Sequence, residues 1–171
     1  ISYQILSRFK AVFLNFEVIM QDRIEVVTQP INSSDGLAWL KESPEGVGAL
    51  VSFTGMVREL PDAELEFMEL EHYPGMTEKA LANIASQARD RWPLKRIFIV
   101  HRVGPMGLSE EVVQVAVSSA HRNAAFEAAS FIMDYLKRDA PFWKREVSDK
   151  GSVWVEQKAS DVEAAKSWSD R

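Results

Sequence analysis

Apolar and polar positions change rhythm repeatedly along this chain, and each change marks an element. "RIEVVTQ" (23–29) is an apolar run closed by Pro30 and predicts a strand, and "SSDGLAWLKES" (33–43) predicts a short helix opened by a Ser or Asp cap. "GVGALVSFTGMVRE" (46–59) predicts a strand that emerges into a loop at Pro61 and Asp62. "LEFMELEHY" (65–73) alternates and predicts the next strand, antiparallel to the previous one. Pro74-Gly75 then breaks the chain. "MTEKALANIASQARDRW" (76–92) predicts a helix with Thr77 as N-cap and Leu81, Ile84 and Ala88 along its buried stripe.

"KRIFIVHRVG" (95–104) and "EEVVQVAVSSA" (110–120) predict two strands joined by a turn around Gly104, Pro105 and Gly107. In "NAAFEAASFIMDYLKRD" (123–139), Ala128, Ile132 and Leu136 recur every four residues, which predicts a helix that Pro141 ends. "FWKREV" and "SVWVE" read as a closing hairpin around Asp149-Lys150-Gly151, with a short helix from Ser160 to Trp168 behind it. Helices and strands do not alternate strictly, so the expected class is α+β with a largely antiparallel sheet. Neither GxGxxG nor GxxxxGK[ST] occurs, so no dinucleotide or P-loop site is indicated.

Composition narrows the functions. At 171 residues, 46% hydrophobic and 26% charged, the chain is of one-domain size with an ordinary core. A pI near 5.3 argues against general nucleic-acid binding, since phosphate affinity comes from clustered Lys and Arg. There is no cysteine, which excludes disulfides, thiolate metal ligands and a thiol nucleophile. The three histidines, His72, His101 and His121, have no metal-ligand spacing, so no metal is expected. The run at 1–20, "ISYQILSRFKAVFLNFEVIM", is too short and polar to span a bilayer, because Asn15 and Glu17 interrupt it. It reads as a leader or extension with Met20 as the natural start, a packed extra strand being the alternative, and 21–171 as the domain.

Against a net charge of −5, "MDYLKRDAPFWKRE" (133–146) gathers Lys137, Arg138, Lys144 and Arg145 among large apolar side chains. Lys137 falls in the last turn of its helix, where the dipole alone favours a cation. On an extended "FWKREV", Phe142, Lys144 and Glu146 share one face, and Trp143, Arg145 and Val147 the other. Both faces mix bulk with charge, though a snorkelling lysine would also explain Lys144. "SSAHRNAAF" (118–126) sets His121 and Arg122 at a helix start, which suits an anion, with capping by Ser119 or Asn123 as the plainer reading. In "SFTGMVRE" (52–59), Gly55 permits a turn or close approach, and Arg58 stands where strand gives way to loop.

"FTGMVR", "LEHYPGMTEKAL", "RWPL", "HRVG", "SSAHRNAAFEA", "FIMDYLKRDAPFWKRE" and "WVE", in this order, resemble the large, catalytic subunit of molybdopterin synthase from about residue 21 to the C-terminus. The resemblance implies an α/β hammerhead fold and a homodimer. Each subunit would bind a small ubiquitin-like sulfur carrier, making a heterotetramer. The carrier's C-terminal Gly-Gly thiocarboxylate would deliver two sulfurs to cyclic pyranopterin monophosphate, giving the molybdopterin dithiolene. Lys137 and Lys144 match the family's essential lysines, His121 and Arg122 its anion-binding pair, and Arg58 the arginine of its "FTGxVR" motif, with Val57 beside it. Arg145 and Glu146 complete the "KRE" block, and Phe53 and Met133 are expected pocket walls. A cytoplasmic enzyme without cofactor or metal is implied. Met56 departs from the lysine usual at its place, and the loop after Arg58, "ELPDAE", is short.

Overall fold

The computed structural model describes residues 22–42, 45–156 and 159–169. The extension expected at residues 1–20 lies outside them. Eight strands are described: β1 (Asp22–Val27), β2 (Ala49–Met56), β3 (Leu65–His72), β4 (Leu94–Arg102), β5 (Gly104–Met106), β6 (Glu111–Ser119), β7 (Phe142–Ser148) and β8 (Gly151–Val155). Four helices accompany them: α1 (Ser33–Lys41), α2 (Met76–Arg91), α3 (Arg122–Asp139) and α4 (Ala159–Lys166).

The strands form two sheets, ordered β1-β4-β6-β2 and β5-β3-β7-β8. Only β1 and β4 pair in parallel; every other pairing is antiparallel, so the mixed α+β expectation holds. β4 and β6 are apolar on both faces because both faces are covered. Ile97, Ile99, Val115 and Val117 pack with Leu81, Ile84 and Ala88 of α2 and Ala128, Ile132 and Leu136 of α3. One residue out of phase, Phe98, Val100 and Ala116 pack with Leu40 of α1. Period-two alternation therefore decides which helix each strand residue meets.

Three expectations are corrected. β2 and β3 are not partners: β2 pairs with β6, and β3 with β5 and β7, in separate sheets. α1 is capped by Asn32, whose side chain accepts from the Ser34 N–H, rather than by Ser or Asp. Thr77 does not cap α2. The cap is Gly75 at φ +82, a left-handed conformation suited to glycine, and Glu78 reaches back to accept from its N–H at 2.6 Å. The turn after β4 also holds a short strand, β5, which covers one edge of β3.

Candidate active site

Strand register places the "FTGMVR" segment beside the lysine-bearing corner. Gly55 pairs with Val113 of β6, which pairs with His101 of β4. A Cβ at Gly55 would lie 2.8 Å from Val113 Cγ1, so glycine is required by close approach. The buried His101 ring stacks on Phe142 at 3.9 Å between centroids. Burial pushes this imidazole down from 6.5 to about 4, so at pH 7 it is neutral and its Nδ1 donates to the Arg102 carbonyl at 3.1 Å. Phe142 opens β7. The corner before it is pinned from α2, where Thr77 Oγ1 donates to the Pro141 carbonyl at 3.2 Å and accepts from the Tyr73 N–H at 3.1 Å.

Around this corner Lys137, Lys144 and Arg145 each have a carboxylate partner. Lys144 Nζ donates to Glu146 Oε1 at 2.8 Å, as their shared face of β7 predicts. Arg145, on the opposite face, donates to Glu69 Oε2 on β3 through Nε at 2.9 Å and lies over the Trp154 ring of β8. Lys137, in the last turn of α3, has its Nζ 3.7 Å from Asp161 Oδ1 on α4. Arg58 is exposed, but the residue before it is fixed: the buried Val57 donates its N–H to the Glu110 carbonyl and accepts from the Ser109 N–H, both at 2.9 Å. Hydrogen bonds from the Gly107 N–H and Arg102 hold the Glu110 carboxyl below its usual range and steady that loop.

His121 and Arg122 lie elsewhere. They follow Ser119, which pairs with Ala49 at the opposite end of β2 from Met56 and its partner Glu111. The seven steps between Ala49 and Met56 span about 23 Å of extended strand. α3 packs back along β6 and β2, carrying Lys137 about 22 Å along its axis from Arg122 toward the Arg58 end. Within one chain, then, Arg58, Lys137 and Lys144 share one end of the molecule, and His121 with Arg122 occupies the other. His121 is the N-cap residue of α3 without a side-chain cap bond. Ser119 Oγ donates to the Pro93 carbonyl at 3.0 Å and accepts from the His121 N–H at 3.4 Å, so it holds the backbone just ahead of α3. Among the described residues, Arg58, His121 and Arg122 make no side-chain hydrogen bond or ion pair.

Phe53 is 44% exposed, a position open to a ligand, whereas Met133 is 9% exposed and belongs to the main core. Met56 is half exposed. Sequence reasoning missed the carboxylates Glu69 and Asp161, which come from β3 and α4; in both cases the cue was an acidic residue within an element meant to pack near cations. Among the described residues no His, Asp or Glu cluster could hold a metal ion.

The fold is an α+β one that presents the unpaired guanidiniums of Arg58 and Arg122 to solvent and sets carboxylates beside Lys137 and Lys144, groups suited to small anions. The chain belongs to the MoaE protein family, whose model matches residues 26–139. It is 52% identical over 150 residues to the molybdopterin synthase catalytic subunit of Escherichia coli (strain K12), covering 86% of this chain and 99% of that one. Among solved structures it resembles molybdopterin cofactor biosynthesis protein E from Burkholderia multivorans, at TM-score 0.74 and 40% identity over 87% of this chain and 97% of that one. Molybdopterin synthase from Staphylococcus aureus is similar at TM-score 0.72 and 37% identity, covering 78% and 96%.

Proposed function

We propose that this chain is the catalytic subunit of a molybdopterin synthase. It transfers sulfur from the C-terminal thiocarboxylate of a small ubiquitin-like carrier to cyclic pyranopterin monophosphate, forming the molybdopterin dithiolene in molybdenum cofactor biosynthesis. The observation that carries this reading is the near end-to-end match to the Escherichia coli subunit at 52% identity. Sulfur arrives on the carrier, so a chain without cysteine can do this chemistry. The same reading makes the enzyme cytoplasmic.

Both reactants are anions, and the cations divide between them by how they are held. Arg58, His121 and Arg122 are exposed and suit the cyclic phosphate, where a guanidinium makes two charge-assisted hydrogen bonds at once. Lys144 with Glu146 is a donor–acceptor pair able to pass a proton or to steady negative charge as sulfur moves. Lys137 acts beside it. The separation of the two cation groups along β2 supports a homodimer in which His121 and Arg122 of a second copy complete the pocket begun by Arg58, Lys137 and Lys144. With one carrier per subunit the assembly is a heterotetramer.

Purified protein mixed with thiocarboxylated carrier and cyclic pyranopterin monophosphate forms molybdopterin, and omission of either reactant abolishes product. Carrier binding without product would instead make the chain a docking module. Anion binding without carrier binding would make it a small-anion sensor.

A further inference from the structure

The C-terminal helix lies beyond the residues that the family model matches, and nothing in its sequence advertises chemistry. Its docking is nonetheless firm. Ala165 and Trp168 are buried in the main core, and Trp168 meets Phe131 and Trp92 edge-on at 5.7 Å. The Trp168 indole N–H donates to Asp134 Oδ2 at 2.8 Å, while the Trp168 carbonyl accepts from Arg91 Nη1 at 2.9 Å. Asp134 and Lys137 are three residues apart on α3 and therefore neighbours on one face. Trp168 engages the first of them, and Asp161 meets the second at 3.7 Å. Asp161 is 25% exposed and Lys137 53% exposed, so a largely sequestered carboxylate meets the ammonium of a lysine whose side chain is half open to solvent.

An ion pair this exposed adds little to stability. A carboxylate next to an anion-binding pocket also works against binding, since it repels what the pocket must attract. What it can do is select one direction for a long, flexible side chain. We infer that Asp161 is a positioning residue for Lys137, fixing its ammonium where the reacting groups meet and making α4 part of the active site. This rests on the reading of Lys137 as a catalytic group. Two opposite effects follow. Removing the charge releases the ammonium from its productive position, which lowers kcat, and it relieves repulsion of the anionic substrate, which lowers KM.

The experiment uses the assembled enzyme with thiocarboxylated carrier and cyclic pyranopterin monophosphate. Asp161→Asn is expected to reduce kcat about tenfold while KM for the pyranopterin falls, with melting temperature near wild type. Asp161→Glu keeps the charge and restores most of kcat. In a Lys137→Ala background, Asp161→Asn causes no further loss, because the group it positions is gone. A kcat within twofold of wild type for Asp161→Asn overturns the inference, as does a loss that persists in the Lys137→Ala background. Should Asp161→Asn lower the melting temperature, Asp161→Glu must still restore turnover, and failure to do so also overturns it. An inactive Lys137→Ala enzyme beside a normal Asp161→Asn enzyme sinks only the positioning role. A Lys137→Ala enzyme that turns over normally sinks the catalytic reading and the positioning role together.

Discussion

The two ends of α3 use positive charge in opposite ways. At its start, His121 and Arg122 are exposed and no described side chain pairs with them. In its last turn and on the strand beyond, Lys137, Lys144 and Arg145 each meet a carboxylate, from α4, β7 and β3 respectively. An unpaired exposed cation keeps its full attraction for an incoming anion, and it can move to meet one. A paired cation has given up part of that attraction in exchange for a fixed position. On that physical ground we propose binding for the first group and chemistry for the lysines of the second.

The largest expected effect breaks the comparison outright if it fails. Lys137→Ala or Lys144→Ala should each lower turnover by about 10²-fold or more at saturating carrier, with melting temperature and carrier affinity unchanged. Lys144→Arg then asks what the charge is for, because it keeps the cation but cannot shed a proton near neutral pH. Recovery of turnover would mean an electrostatic role, and continued loss a proton-transfer or covalent one. If His121 and Arg122 serve a neighbouring subunit's pocket, mixing Lys137→Ala with Arg122→Ala at subsaturating pyranopterin should restore activity above that of either variant alone. Random exchange leaves about a quarter of the sites intact. A mixture no more active than its components would place the whole site within one chain.

A further expectation concerns the lysine end alone. His101 is neutral when folded, with its pKa lowered from 6.5 to about 4, so between those values the unfolded chain binds the extra proton. Stability is therefore full above pH 6.5 and falls as pH drops toward 4, by about 3 kcal/mol for this group. Urea unfolding across that window measures the slope, and His101→Phe should flatten it. Arg122→Ala should weaken pyranopterin binding by about 1.5–3 kcal/mol with the fold intact. Unchanged affinity by calorimetry would leave Arg122 without a binding role. The smallest effect is expected of Met56→Lys, which puts a cation on an exposed position near Arg58 and should tighten pyranopterin binding a few-fold, more at low salt.

Local pattern carried much of this molecule into view. The four-residue spacing of Ala128, Ile132 and Leu136 announced α3, and Asp149-Lys150-Gly151 announced the β7–β8 hairpin, because both are decided by neighbours in sequence. The alternation likewise put Lys144 and Glu146 on one face, where they are hydrogen-bonded. Sheet membership was not readable in this way. β2 and β3 are consecutive and both strand-like, yet their partners lie far along the chain, and no residue in either names them. Thr77 was a sound cap by composition, but Gly75 could adopt the left-handed turn, which left the threonine hydroxyl to bind Pro141 instead. The partition of the cations between two ends follows from the register of β2 on β6, and register between distant strands is set by tertiary packing.

That β3 lies between β5 and β7 also has a consequence for how the chain is made. Glu69 and its partner Arg145 are 76 residues apart. At about 5–20 residues per second a ribosome needs roughly 4–15 s to synthesise that interval. Throughout it, one edge of β3 has no neighbour to pair with, and its apolar residues Met68 and Leu70 lack the cover that β7 later supplies. β5 emerges first and can take the other edge, leaving a single side for a chaperone to shield. The strand bearing Lys144 is made after β3, so Lys144 joins the fold only once β3 has waited for its partner.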